Sequence, residues 1–205
     1  MAIQISTDTE LSAVNSILGS IGQAPITSLT GTALQNPEIS FIKNLLDEVN
    51  KDVQSIGWNF NSAYKVKQSP DTNGNYIVPA NAILYDISEG QIDRRTNVVK
   101  RDGKLFVLVH QTDVFTQDYY FDTISLLQFT DVPPSIQRYI IARASVRAAV
   151  QLVSNADLVK LLKMEEEQTK ANALNYETEQ GDNSFFGFPQ ESNYRAYQPY
   201  KALIR

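Results

Sequence analysis

One histidine, His110, and no cysteine leave this chain few ways to do chemistry. A single imidazole cannot build a histidine-rich metal site. The absence of thiols removes disulfides, thiolate nucleophiles and cysteine-ligated metals together, and fits a reducing compartment. No serine stands in a nucleophile-elbow pattern. Neither GxxxxGK[ST] nor GxGxxG occurs, so no phosphate cradle is expected. His110 falls at the end of a predicted strand and reads as a surface or half-buried residue.

Three aspartates, Asp113, Asp118 and Asp122, lie close enough in sequence to suggest a cation site. They lack the glycine and terminal glutamate of a calcium loop and read as turn and edge-strand residues. Glu165-Glu-Glu167 sits mid-helix, where successive positions point in different directions, so it is no carboxylate pair for acid–base work. It reads as a solvated face or, more sharply, as an acidic surface that repels DNA. Arg94-Arg95 and Lys100-Arg101 make a small basic patch that suits DNA and an acidic protein partner about equally. No catalytic, cofactor-binding or metal-binding residue is assigned, no cofactor is expected, and the chain is not expected to be an enzyme.

The elements around these residues are better marked. A hydrophobic fraction of 42% and a charged fraction of 20% are those of a globular chain with a real core. A net charge of −5 argues against a general nucleic-acid binder. The first residues lack the basic start and apolar run of an export leader, and Arg143 and Arg147 interrupt the longest apolar region, so no membrane span is expected.

Thr7-Asp-Thr-Glu10 is a capping-box pattern that predicts a first helix with Leu11, Val14, Leu18 and Ile21 inward. Gly19 and Gly22 end it, and Ala24-Pro25 forces an extended exit. Asn36-Pro37 opens a second helix with Ile39, Ile42, Leu46, Val49, Val53 and Ile56 as its seam, closed by Gly57. Lys43, Asp47 and Lys51 read as a solvated charge row.

From Trp58 the period changes to that of short strands: 63–66, 76–78, 82–87, 97–100, 104–110, 115–121 and 123–127. Asp102-Gly103 predicts a type I′ hairpin turn, and 69–75 predicts a mobile loop. This β segment has little room for a core of its own and is expected to lean on the second helix or a neighbouring subunit. A third helix begins at Ser135, with Ile136, Tyr139, Ala142, Val146, Ala149, Val150 and Val153 on one side. A fourth follows Asn155, with Leu158, Leu161, Met164, Ala171 and Leu174 as its apolar face. Two residues join them, so they should be antiparallel neighbours.

The expected fold is therefore α+β. It is a four-helix bundle, two helices N-terminal (1–57) and two C-terminal (131–178), with an inserted antiparallel β-rich part (58–130) and an extended aromatic tail (179–205). The tail carries Phe185, Phe186, Phe188, Tyr194, Tyr197 and Tyr200. Disordered tails are usually poor in aromatics, which suits these six to an interface.

Four segments, in order, resemble a known family. They are Glu10-Leu-Ser-Ala-Val-Asn15 with Ile17–Gly22, Pro25 and Leu29; Asn50-Lys-Asp-Val-Gln-Ser-Ile-Gly-Trp-Asn-Phe-Asn61; Thr130-Asp-Val-Pro-Pro134 with Arg138-Tyr139 and Arg143–Ser145; and Glu165-Glu-Glu167 with Tyr176-Glu177. They resemble tail tubular protein A, the adaptor or gatekeeper of short-tailed podovirus phages, over residues 10–180. The β segment and the tail are the least alike.

The resemblance implies a virion protein that forms a ring of twelve copies under the portal protein. It would join the nozzle (tail tubular protein B) below, with tail fibres nearby and DNA as non-specific cargo. It implies assembly in the host cytoplasm and no membrane partner. The portal-facing candidates are the six tail aromatics; those facing nozzle or fibre are Arg101, Asp102 and Gly103; and those for subunit contact are Gln23, Pro25 and Ile26. The competing expectations are a tail-associated cell-wall hydrolase and another head-completion module.

Overall fold

In a computed structural model of the chain, residues 8–31, 33–88 and 97–181 are described. Two bodies stand on one neck. The helical body holds α1 (Glu10–Ser20), α2 (Pro37–Gln54), α3 (Pro134–Ala148) and α4 (Ala156–Gly181). The β body, inserted between α2 and α3, holds β1 (Ser62–Gln68), β2 (Ala82–Ile87), β3 (Val98–Arg101), β4 (Lys104–Val107) and β5 (Tyr119–Ser125). The architecture is α+β, as expected.

The cap of α1 is Thr9, whose hydroxyl accepts from the Ser12 N–H at 3.2 Å; the expected cap Thr7 lies outside the described residues. Gly22 (φ +78°) ends the helix, with Gln23 N–H bonded to the Leu18 carbonyl at 2.9 Å and Gly22 N–H to Gly19 at 3.1 Å. That pair of bonds is a Schellman motif, which satisfies the last carbonyls of the helix. α2 starts as expected: Asn36 caps, and Pro37 takes the first position, where its missing N–H costs nothing. Ile39, Ile42, Leu46, Val49 and Val53 are buried, but Ile56 is 60% exposed because the helix has already ended at Gln54.

α3 packs against each of the other three helices, and α4 packs chiefly against α3. The expected inner face of α3 fails at its end. A π turn over Ala149–Val153 rotates Val150 and Val153 into solvent. Asn155 caps α4 as expected, accepting from Asp157 N–H at 3.0 Å, but the expected apolar face is turned outward. Leu161 (66%), Met164 (68%) and Leu174 (49%) are exposed, while Leu162 and Ala173 are buried. Leu162 sits with Val146 and Ala149, and Ala173 joins the main core. The helix approaches α3 by its smaller stripe because α3 offers alanines there, and close approach favours small side chains. α4 also continues to Gly181, past the expected start of the tail.

The β body has a core of its own, contrary to expectation: Tyr76, Val78, Val98, Leu105, Val107, Phe115 and Phe121. β5 is the centre of a three-stranded antiparallel sheet, β1-β5-β2, and β3-β4 form a separate hairpin. The break expected at Asp122 is absent, since β5 runs straight through it. Tyr76 and Val78 border the hairpin, through Leu105 N–H to the Tyr76 carbonyl and Val78 N–H to the Gly103 carbonyl. Loop 69–75 is also tied down. Asp71 Oδ1 accepts from Asn73 and Asn75 N–H, and a Cβ on Gly74 (φ +81°) would lie 2.9 Å from Val114.

Candidate assembly interfaces

The neck is where the two bodies are fixed to each other, and it is built from buried amides. Gln54, fully buried, donates to the Leu127 carbonyl (2.9 Å) and accepts from the Leu127 N–H (2.8 Å). Its Nε2 also donates to Asn50 Oδ1. Asn61 donates to the Gln54 and Ser125 carbonyls and accepts from the Trp58 N–H, while the Trp58 indole donates to the Val53 carbonyl at 2.7 Å. Gly57 (φ +80°) makes the turn, and a Cβ there would stand 2.7 Å from the Ile124 methyl. The outgoing chain at 54–61 and the returning chain at 125–127 are thus clamped by two side-chain amides. Hydrogen bonds held inside a low-dielectric interior make such a joint stiff.

α4 reaches the same neck. Glu177 Oε1 accepts from the Asn59 N–H at 2.7 Å, although Glu177 Oε2, Asn59 Nδ2 and Ser62 Oγ are buried without a hydrogen-bond partner. α2 also ends at the neck, so α2 and α4 run the same way, and the elbow after α1 belongs to the opposite end of the body. There Ile21 packs with Leu158 and Val159.

The elbow is held by Asn15. Its amide donates to the Ile26 carbonyl (3.0 Å) and accepts from the Ile26 N–H (2.8 Å). Of the subunit-contact candidates, Gln23 and Pro25 are exposed and Ile26 is half-buried against the helical core.

The hairpin candidates lie on the β body, apart from the elbow. Asp102 (φ 49°) and Gly103 (φ 75°) both take the left-handed conformation that a type I′ turn requires, as expected. The Arg101 guanidinium lies 4.2 Å over the Phe106 ring. No carboxylate pairs with Arg101 among the described residues. The tail candidates Phe185, Phe186, Phe188, Tyr194, Tyr197 and Tyr200, and the basic pair Arg94-Arg95, lie outside the described residues.

The residues with chemical potential do not converge. Asp113 stands 3.8 Å from Lys104, Asp118 pairs with Lys67 at 3.0 Å, and Asp122 accepts from the Lys65 N–H at a bulge in β1. The hydrogen bond from Lys67 holds the Asp118 carboxyl below its ordinary pKa. His110 is exposed in the turn after β4. Among the described residues no group of three His, Asp or Glu side chains could hold a metal ion, and no helix is long and apolar enough to cross a membrane.

What sequence reasoning missed is a pair of polar bridges and an open helix face. Arg147 bonds Asp52 (2.6 Å) and Glu48 (3.4 Å), tying α3 to α2, and fully buried Gln137 bonds the Phe129 carbonyl at 2.6 Å and Asp8. The open face is the outer side of α4. Helical periodicity does reveal its stripe of large residues, but not that the stripe points away from α3.

No curated protein matches the chain. Residues 11–183 match the family of tail tubular proteins, which takes in α1, the neck, the whole β body, α3 and α4. An assembly built from two cored bodies, a clamped neck and an uncovered helix face suits a structural part, and the chain belongs to the tail tubular protein family, structural components of the phage tail.

Proposed function

We propose that the protein is the adaptor of the tail. Copies of it form a closed ring, twelve by the resemblance, that joins the portal above to the nozzle below and leaves a passage for DNA. The observation that carries this reading is the two-body construction on a single clamped neck. An adaptor must present two ends to two different partners and hold them at a fixed angle, and the Gln54–Asn61 clamp does that. The aromatic tail is the portal-docking segment, the Arg101-Asp102-Gly103 hairpin faces the nozzle or a fibre, and the elbow at Gln23, Pro25 and Ile26 contributes to subunit contact. A chain of net charge −5 binds DNA weakly, since phosphate contacts dominate such affinity, so DNA passes as cargo. Repetition around the ring turns modest contacts into a strong joint.

The test is negative-stain imaging with and without portal rings, using the full chain and a chain lacking residues 182–205. The full chain should add a ring beneath the portal. The shortened chain, folded by circular dichroism, should not. Undiminished joining by the shortened chain would remove the tail from this role, and a full chain that never forms a ring would remove the adaptor reading itself.

A further inference from the structure

The outer side of α4 is the largest apolar face that the helical body leaves uncovered, and its charges identify what covers it. Met164 is 68% exposed, with Lys160 and Lys170 beside it, ten residues apart and therefore about 15 Å along the helix. Lys170 has no carboxylate partner among the described residues, and Lys160 has only Asp157, at 3.5 Å. The outer side of α2 carries the complementary row at the same spacing. Glu38 and Glu48 are also ten residues apart and exposed, with half-buried Phe41 between them. Within one copy the two rows lie on separate helices, each packed on α3. Because both helices run towards the neck, a copy rotated about a ring axis brings its α2 alongside α4 in the same direction.

We infer that the α4 face of each copy seats the α2 outer face of the next. Glu38 then lies level with Lys160, Glu48 with Lys170, and Phe41 beside Met164. This deepens the ring reading and rests on it. The contact is heterologous, with two different surfaces on each chain, which is what a closed ring of identical copies requires. It continues the layer α2–α3–α4 into the next copy's α2, making a wall of helices around the passage. Each pair is exposed at the rim, so the charges set register and choice of partner more than strength.

The chain has no cysteine, so a disulfide ladder reads this contact directly. The double variant Asn44→Cys/Glu167→Cys, oxidised in the purified protein and in rings formed on portal, should give a ladder of covalent multimers, and each single variant none. The variants Lys160→Glu/Lys170→Glu and Glu38→Lys/Glu48→Lys, each folded by circular dichroism, should assemble about tenfold less well alone. Mixed together they should recover, since each supplies the surface the other lacks. A Glu167→Cys single variant that dimerises would mean α4 meets α4 and overturns the proposal. Rings in the micrographs with no ladder and no recovery overturn this contact and leave the ring standing. No ring under any condition takes down both.

Discussion

The two bodies bury their interiors with different chemistry. The helical body is filled by aliphatic side chains, with Ile17, Ile42, Leu46, Ile136 and Ile140 fully buried. Its charges cross-link helices at the surface, as in Lys43 with Glu10 (3.3 Å) and Asp47 (2.6 Å). The β body is organised around one phenol. The Tyr76 ring meets Phe115 and Phe121 edge-on at 5.0 and 4.9 Å, and Tyr85 stacks on Phe121 at 4.7 Å. The Tyr76 hydroxyl stands within hydrogen-bond distance of the Gln68 and Gln117 carbonyls and accepts from the Tyr119 N–H. An aliphatic core spreads its stabilisation over many interchangeable contacts. An aromatic core with a central hydroxyl concentrates it, and is the more exposed to a single loss.

The sharpest way to break this contrast is Tyr76→Ala. Removing a buried aromatic of this size costs about 3–5 kcal/mol. The tyrosine near-ultraviolet signal should melt well before the helical circular dichroism. One coincident transition would mean that the bodies do not differ as described. Next is the neck. Gln54→Leu keeps the volume but leaves the Leu127 N–H and carbonyl without partners, which costs about 3 kcal/mol. Calorimetry should then show two separated transitions where the wild type shows closer ones.

Gly57→Ala is smaller, about 1–2 kcal/mol, because the left-handed backbone disfavours a Cβ and the Ile124 methyl blocks it. Adding Ile124→Val should return part of that loss, and simple additivity would show that the contact is not felt. The smallest effect is with pH. Burial, with a lesser contribution from Tyr76, pushes the Tyr85 phenol from 10.0 up to about 12. The unfolded chain therefore gives up this proton first. The stabilisation is whole below pH 10.0 and is lost as the pH rises towards about 12. The β-body midpoint should fall in that window ahead of the helical one, and Tyr85→Phe should lessen the gap.

How much could be read from the residues follows the same divide. The cap and proline of α2, the glycine stop of α1 and the Asp102-Gly103 turn were legible because each is a local signal with a local cause. The β core was not, because Tyr76, Phe115 and Phe121 meet only through the pairing of β5 with its neighbours. α4 was legible as a helix and misread as a surface. Periodicity ranks stripes by hydrophobicity, while packing against the alanines of α3 selected the stripe of Leu162 and Ala173. The neck was invisible for a third reason: Gln54 and Asn61 are polar, and only the backbone groups they meet explain their burial. Of the candidate interface residues, those of the hairpin and the elbow were legible as turns, and Ile26 alone proves to be partly claimed by the core.

The joint between Glu177 and Asn59 has a mechanical meaning. The chain beyond Gly181 begins one turn past it, so a pull on that segment is delivered to the Asn59 amide before it reaches the rest of α4. That bond is a weak link beside a strong one. Glu177 Oε2 and Asn59 Nδ2 lack hydrogen-bond partners, whereas Gln54 and Asn61 bond at both ends of their amides. Under rising tension α4 peels from the neck while the two bodies keep their angle, and the fold yields at its edge.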